Sequence, residues 1–385
     1  MDSRLNIQDS KYKTQNLKIR LHVLSPIHIG CDDVYEPTSF VIDEQRKKLI
    51  EFDPIEFIKS LKPQEIADFS KTASGDNLLA IFKTIKRFYK PEVRGKEVDV
   101  TDYLVNHYKK ILSMGTFEKN SVINQFTMNK TAYNLQNNSP YIPGSSLKGA
   151  MRTAYLNALA KVKRVSNFGG KADNLESLLL ERSEGKDKMS SDPFRMVKVS
   201  DLLPVGNVST KIVYAVNKKK KKSERDTLAD RGGVYQIFET IKAGAIFEGI
   251  LNVNKAEEAS GIKLKITFDD LKSSLNKFYI SLLEAEIKTM KVLDISVPLI
   301  NSINSKFKGQ INKTAFIVSI GRHSGAEAVT IEGYRNIKIM QGRDKSSEYR
   351  DHATTLWLAS DSPRPQNNNG LLPFGWAVLE ITDGL

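Results

Sequence analysis

Tyr141-Ile142-Pro143-Gly144-Ser145-Ser146-Leu147-Lys148-Gly149-Ala150-Met151-Arg152-Thr153-Ala154 is the stretch that decides how this chain is read. Pro143 and Gly144 end an extended segment with a turn. Ser145 or Ser146 is placed to cap the helix that follows, its hydroxyl accepting from a backbone N–H that has no partner within the helix. The spacing predicts a helix running to about Lys161. Free amides and the positive end of the macrodipole at such a start favour an anion. Lys148 and Arg152 stand at i and i+4, so they project from one face and add charge beside it. Gly144, Ser145, Ser146, Lys148 and Arg152 are therefore the first candidates for contact with a phosphate. An ordinary helix start with two solvated basic residues is the plainer meaning of a short S-x-x-G pattern, but the full fourteen-residue string is far more specific.

Outward from this segment, strand and helix periods alternate. Leu17, Ile19, Leu21 and Val23 alternate with polar residues, the period of a half-buried strand. Residues 38–42 and 48–52 read as the arms of a hairpin turning over 43–47. From about 53 to 115 the apolar spacing is helical, in 54–61, 75–88 and 98–112, with Pro63 and Pro91 as breakers; this reads as a helical insertion. Residues 122–128 are strand-like, 166–191 are polar and read as mobile, and 194–199 and 210–216 read as strands. Residues 234–241 and 245–253 read as a second hairpin over Lys242-Ala243-Gly244. From 268 to about 292, Leu271, Leu275, Phe278, Leu282, Ala285 and Met290 recur at helical spacing. Strands at 315–320, 354–358 and 376–381 complete an α+β pattern.

The composition agrees with an anionic partner. The chain has 385 residues, 58 Lys plus Arg against 45 Asp plus Glu, and a formal charge of +13. The five lysines of 218–222 make up less than half of that excess, so it is not confined to one tail. Such a balance favours a polyanion and argues against an acidic protein ligand. The length suggests two domains, each with a sizeable apolar interior. The single cysteine, Cys31, excludes an internal disulfide and a cysteine-rich zinc site, and a cytoplasmic, reducing location follows most simply. The first fifteen residues lack an apolar signal core, and no run approaches the roughly 18 apolar residues of a membrane span.

Three further segments narrow the reading. Leu24-Ser25-Pro26-Ile27-His28-Ile29-Gly30 follows the first strand; Phe316-Ile317-Val318-Ser319-Ile320-Gly321-Arg322-His323-Ser324-Gly325 is a strand with a glycine-rich loop; Leu372-Pro373-Phe374-Gly375-Trp376 leads into the last strand. With the signature turn and helix, they resemble the RAMP superfamily, the RNA-binding proteins of CRISPR antiviral effector complexes. In this order and over nearly the whole chain, they are similar to the family of fifth subunits of type III-A particles. The resemblance implies two ferredoxin-like, RRM-like domains, here 1–217, carrying the helical insertion, and 218–385. It further implies a non-catalytic subunit capping the head of the particle. Such a subunit grips the 3′ region of the CRISPR RNA, packs on a neighbouring backbone RAMP subunit, and influences guide maturation by admitting or recruiting cellular nucleases.

Glycine-rich loops let backbone amides approach a sugar-phosphate strand, because no side chain stands between them. On that ground Gly321, Arg322, His323 and Gly325 join the candidates, with 370–375 as a further loop; a tight turn before a strand is the alternative for both. His28 has two readings: a group that stacks on a base or bonds a phosphate, or a partly buried histidine satisfied by a backbone carbonyl. Lys218-Lys219-Lys220-Lys221-Lys222 reads as a solvated linker or an electrostatic arm, and Arg231 could be the ordered end of that arm. For catalysis the one cluster to weigh is Asp32 and Asp33, near His28 and Glu36, since metal-assisted phosphodiester cleavage needs carboxylates to hold a divalent cation. In the related backbone subunit this place carries an RNA-cutting aspartate, but the present segment departs from that pattern. No H-E-x-x-H, C-x-x-C, P-loop or nucleophile-elbow motif is present. The expectation is therefore an RNA-binding protein without catalytic site, metal or cofactor. A metal-dependent endoribonuclease using Asp32 and Asp33, and a purely structural assembly subunit, are the alternatives.

Overall fold

The alternation at the start of the chain becomes the central strand of a sheet. In the computed structural model, which describes residues 15–75, 77–115, 126–221, 235–340 and 346–384, Leu17, Ile19, Leu21 and Val23 are buried. Lys18, Arg20 and His22 between them stay partly exposed on the other face. The strand Gln15–Val23 pairs antiparallel with Ile246–Val253 on one side and Trp376–Gly384 on the other. Ala315–Ser319 borders Trp376–Gly384, while Val197–Val199 and Leu203–Pro204 border Ile246–Val253. The signature helix, Gly144–Lys163, and a long helix, Phe268–Val292, cover the apolar face through Leu147, Met151, Ala154, Leu271, Leu275 and Phe278. Tyr279 of the long helix donates its buried hydroxyl to the Ala150 carbonyl at 3.2 Å. In chain order, Gln15–Val23, the signature helix, Val197–Val199, Ile246–Val253, the long helix and Trp376–Gly384 make one β-α-β-β-α-β unit with strand order 4-1-3-2.

A nine-stranded sheet of different order accompanies it, running Gly30–Val34, Met128–Thr131, Gln236–Ile241, Thr210–Lys219, Gly95–Asp99, Lys48–Phe52 and Phe40–Asp43. Thr355–Ser360 also pairs with Thr210–Lys219, and Leu372–Pro373 with Thr355–Ser360. The helices Leu78–Phe88 and Asp102–Ser113 pack on this sheet through Phe82, Leu104, Tyr108 and Ile111. Among the described residues no helix is long and apolar enough to cross a membrane.

Several expectations change here. The division at 217/218 falls inside the strand Thr210–Lys219, and both sheets take strands from either side of it. Residues 236–241 and 246–253 do not form a hairpin: Gln236–Ile241 belongs to the larger sheet and Ile246–Val253 to the smaller. The chain crosses between them at Lys242–Ala245, and Gly244 (φ +93°) donates its N–H to the Val23 carbonyl. A glycine turn suits a crossover as well as a hairpin, so turn chemistry alone does not separate the two. The described residues of 53–115 hold four helices, Pro54–Ser60, Pro63–Ala73, Leu78–Phe88 and Asp102–Ser113, but Gly95–Asp99 between them is a strand. A Cβ on Gly95 would run into the Glu51 carbonyl. The polar stretch 166–191 carries the helix Ala172–Leu179, anchored by buried Leu175 and Leu179. Lys218 and Lys219 lie in a strand rather than a linker, while Lys222 and Arg231 lie outside the described residues.

The segment Leu24–Ile29 joins the two sheets and is buried throughout. Its backbone groups are met by Trp376 and Gly375, by Ile241, by Arg322 and by Ala132, at 2.8–3.2 Å. Ala132 in turn accepts the N–H of Tyr141, at the head of the signature stretch. Thus the four motif segments, scattered along the sequence, meet at one junction. Gly321 (φ +85°) and Gly375 (φ +86°) are glycine for reasons of space as well: a Cβ would lie 2.5 Å from the His28 carbonyl oxygen and 2.6 Å from that of Ile320, respectively. Gly375→Ala should therefore cost about 2–4 kcal/mol, and Gly244→Ala, whose Cβ would meet nothing within 4 Å, only about 1 kcal/mol, as read by urea unfolding. Equal costs at the two positions would show that this close approach contributes nothing.

Candidate nucleic-acid interface

The signature helix starts one residue earlier than its serines suggest. Pro143 is its N-cap and Gly144 its first residue, so Ser145 and Ser146 lie within the first turn rather than capping it. Gly144 is buried against the loop after Val197–Val199, where a Cβ would be 2.6 Å from the Ser200 carbonyl oxygen. Its N–H donates to the Asp201 carboxylate at 2.8 Å, and the Ser146 N–H to the Pro143 carbonyl at 2.9 Å. A carboxylate of the chain itself thus occupies the place where an anion was expected at Gly144. Ile142 and Leu202 exchange backbone hydrogen bonds on either side and hold this arrangement. Ser145 and Gly149 remain exposed, and Ser146 and Lys148 half-buried.

The two cations take different partners. Arg152 turns onto the carboxylates of Glu176 (2.8 Å) and Asp192 (2.9 Å), with its guanidinium also over the Phe194 ring. It ties the signature helix to Ala172–Leu179 and to the turn before Val197–Val199. Lys148 makes no ion pair among the described residues. Burial, then the nearby Lys198 ammonium, lower its pKa from the ordinary lysine value. Lys198 is exposed on the edge strand Val197–Val199. It is the functional candidate that sequence reasoning missed, because it stands 50 positions from Lys148. Helical spacing predicted that Lys148 and Arg152 share a face, which they do, but it says nothing of acids 24 and 40 positions away.

The other candidates are mostly turned inward. His28 is buried, its Nδ1–H donating to the Glu239 carbonyl at 2.8 Å and its ring 4.3 Å from Phe238. Burial lowers its pKa below the usual histidine value. The second of its two readings, a buried histidine satisfied by a carbonyl, is the one observed. His323 (φ +65°) stacks on Trp357 with centroids 4.4 Å apart, and burial presses its pKa down to about 4. Arg322 is exposed, with its guanidinium over Phe238 and its N–H on the His28 carbonyl. The amides of Arg322 and Gly375 are used within the protein, so these loops close the interior rather than offer those N–H groups outward.

The acidic cluster does not assemble. Asp33 accepts from Tyr133 Oη (2.7 Å) and Lys130 Nζ (3.1 Å); burial raises its pKa, but these bonds outweigh burial and hold it below the usual carboxylate range. Asp32 is exposed at φ +56° in an irregular stretch of its strand, and His28 faces away inside. Among the described residues no three His, Cys, Asp or Glu side chains come together as a metal-ion site.

This sheet-and-helix unit belongs to a known class: the chain is a member of the RAMP superfamily, whose model matches residues 20–297. Within that class it is similar to two proteins named CRISPR system Cms protein Csm5. The one from Methanocaldococcus jannaschii is 23% identical over 399 residues, 95% of this chain and 89% of that protein. The one from Streptococcus thermophilus is 27% identical over 206 residues, 51% of this chain and 53% of that protein. The fold is shared with a chain of a type III-A Csm–crRNA–target RNA ternary complex (TM-score 0.56, 19% identity, 95% of this chain and 100% of that one). It is shared also with T. onnurineus Csm5 (TM-score 0.53, 16% identity, 93% and 99%).

The two cations should separate by experiment. Arg152→Ala leaves Asp192, almost buried, without its main counter-charge and should cost about 3 kcal/mol in urea unfolding. Lys148→Ala should stay within about 0.5 kcal/mol of the parent protein. A neutral Arg152→Ala would show that the Arg152 pairs do not hold these elements together.

Proposed function

We propose that this protein is a Csm5-type subunit of a type III-A CRISPR surveillance complex that holds guide RNA and does no chemistry itself. It caps the head of the particle, packs against a neighbouring backbone RAMP subunit, and grips the 3′ region of the CRISPR RNA. By limiting or admitting cellular nucleases there, it helps to set the length of the mature guide. The observation that supports this reading is Lys148 with Lys198 near it, beside exposed Ser145: the Lys198 ammonium lies close enough to act against the charge on Lys148, with no ion pair to either among the described residues. A phosphate between them relieves that repulsion, and the serine hydroxyls add hydrogen bonds to its oxygens. Such contacts read backbone and shape rather than bases. Sequence selection then belongs to pairing between guide and target.

Lys148→Ala and Lys198→Ala should each weaken binding of a guide RNA and make the log–log salt dependence shallower by roughly 0.7 per lost phosphate contact. Arg152→Ala, whose charge is consumed by Glu176 and Asp192, should leave that slope unchanged. Fluorescence anisotropy across a salt series measures both. Unchanged affinity and slope in the two lysine variants would remove the phosphate site from this turn.

A further inference from the structure

Both tryptophans of the chain, Trp357 and Trp376, line one cavity of about 480 Å³. It lies between the long helix, the loop 321–329 and the strand Thr355–Ser360. Its size falls in the range of about 300–1,000 Å³ typical of small-ligand sites, and its walls are mainly apolar. Four charged side chains interrupt them: Lys220, Glu286, Arg322 and Glu327. Lys220 and Glu327 neutralise each other at 2.6 Å, and Glu327 also accepts the Ala353 N–H. Glu286 forms no ion pair among the described residues, and burial pushes its pKa up to about 7 against the opposing Trp376 hydrogen bond and Lys220 charge. One of its carboxylate oxygens accepts the Trp376 indole N–H at 2.7 Å, and the other has no donor among the described residues. Arg322 carries the remaining charge at the rim and forms no ion pair among the described residues. The His323 ring, stacked on Trp357, fixes the plane of that indole.

These groups specify a ligand: a flat aromatic body for the apolar walls, an N–H edge for the open carboxylate oxygen, and one anionic group within reach of Arg322. Guanine fits the edge best, since its N1–H and N2–H₂ lie side by side and the donor that meets the open oxygen has a second donor next to it, whereas adenine, cytosine and uracil each set an acceptor next to their donor, against the carboxylate. A carboxyl desolvated at a cavity wall with an unused acceptor discriminates strongly, because a base without the matching donors leaves it unpaired. We propose that this cavity receives an unstacked guanine of single-stranded RNA, with Glu286 accepting from its Watson–Crick edge, Trp357 bearing on its ring and Arg322 meeting its phosphate. The inference rests on the RNA-binding reading above and adds to it one base-selective position at a site distinct from the Lys148–Lys198 pair.

Because the only two tryptophans line this cavity, intrinsic emission of the full chain reports on it directly. Titration with GMP should give a saturable change in emission and UMP none, while Glu286→Gln should weaken GMP about tenfold or more. Arg322→Ala, an exposed position, should weaken GMP but leave guanosine unaffected, and this variant decides the matter if Glu286→Gln does not fold. Equal responses to GMP and UMP, or GMP affinity unaltered in both variants, would overturn the pocket. Guide-RNA binding followed in parallel by anisotropy separates the two readings: intact guide binding without a GMP response sinks the pocket alone, and absent guide binding sinks the RNA reading beneath it.

Discussion

Burial of the backbone between Leu24 and Ile29 is the constraint on which the rest depends. Chain buried this deeply, outside a helix or sheet interior, has to find a partner for each polar group elsewhere in the molecule. The partners come from Trp376 and Gly375, Ile241, Arg322 and Ala132, five points spread over nearly 250 residues. That requirement locks the smaller sheet to the larger and brings the first and last described strands, Gln15–Val23 and Trp376–Gly384, side by side in the β-α-β-β-α-β unit. The buried Glu239 reinforces the junction from the larger sheet. Its carboxylate, 0% exposed, receives Lys96 at 2.8 Å, the Thr210 hydroxyl at 2.7 Å and the Thr131 N–H at 3.2 Å. A carboxylate so enclosed persists only with its counter-charge and donors in place, which ties four separate strands to one geometry.

The same constraint accounts for the glycines of two motifs by packing within the chain itself. The carbonyl oxygens of His28 and Ile320 stand 2.5 and 2.6 Å from where a Cβ on Gly321 and Gly375 would be, and both glycines take left-handed backbone that a side chain would disfavour. From the residues alone, a glycine that admits a phosphate and a glycine that admits another part of the chain look identical. Only the partner distinguishes them, and that partner is far away in sequence.

What was legible in the sequence was what a local period can encode. The alternation of Leu17, Ile19, Leu21 and Val23 and the helical spacing from Leu271 to Met290 each record one face against one core, and both elements fold where those periods lie. The arms Phe40–Asp43 and Lys48–Phe52 were legible for the same reason, being joined by a short turn. Pairings set by distant chain were not. Nothing near Lys242-Ala243-Gly244 reveals that its flanking strands enter different sheets, and Val98, buried under a helix-like pattern, belongs to a strand because Lys48–Phe52 accepts it as a neighbour. At the candidate site the turn and the exposed serine could be read directly. The division of labour between the cations could not, since it depends on Glu176, Asp192 and Lys198.

That division follows from the chemistry of the two side chains. A guanidinium is planar and always charged, and its fork can meet two carboxylates at once, which suits Arg152 to a half-buried joint between elements. An ammonium is a compact, strongly hydrated point charge on a flexible stem, costlier to desolvate and readily satisfied by a mobile anion. Lys148 sits where burial and Lys198 both act against its charge, while Asp192, the acid that could relieve it, is already held by Arg152 and Arg182. Around Lys148, burial and the neighbouring cations outweigh the opposing pull of Asp192, whose carboxylate also serves the fold. Asp201 shows the same rule from the opposite side: it satisfies the Gly144 amide and so diverts a helix-start anion away from the first N–H and toward the lysine pair. Any anion that docks here therefore meets two ammonium groups and a serine hydroxyl before it meets the helix dipole, and its affinity should follow salt concentration more steeply than a site built on amides alone.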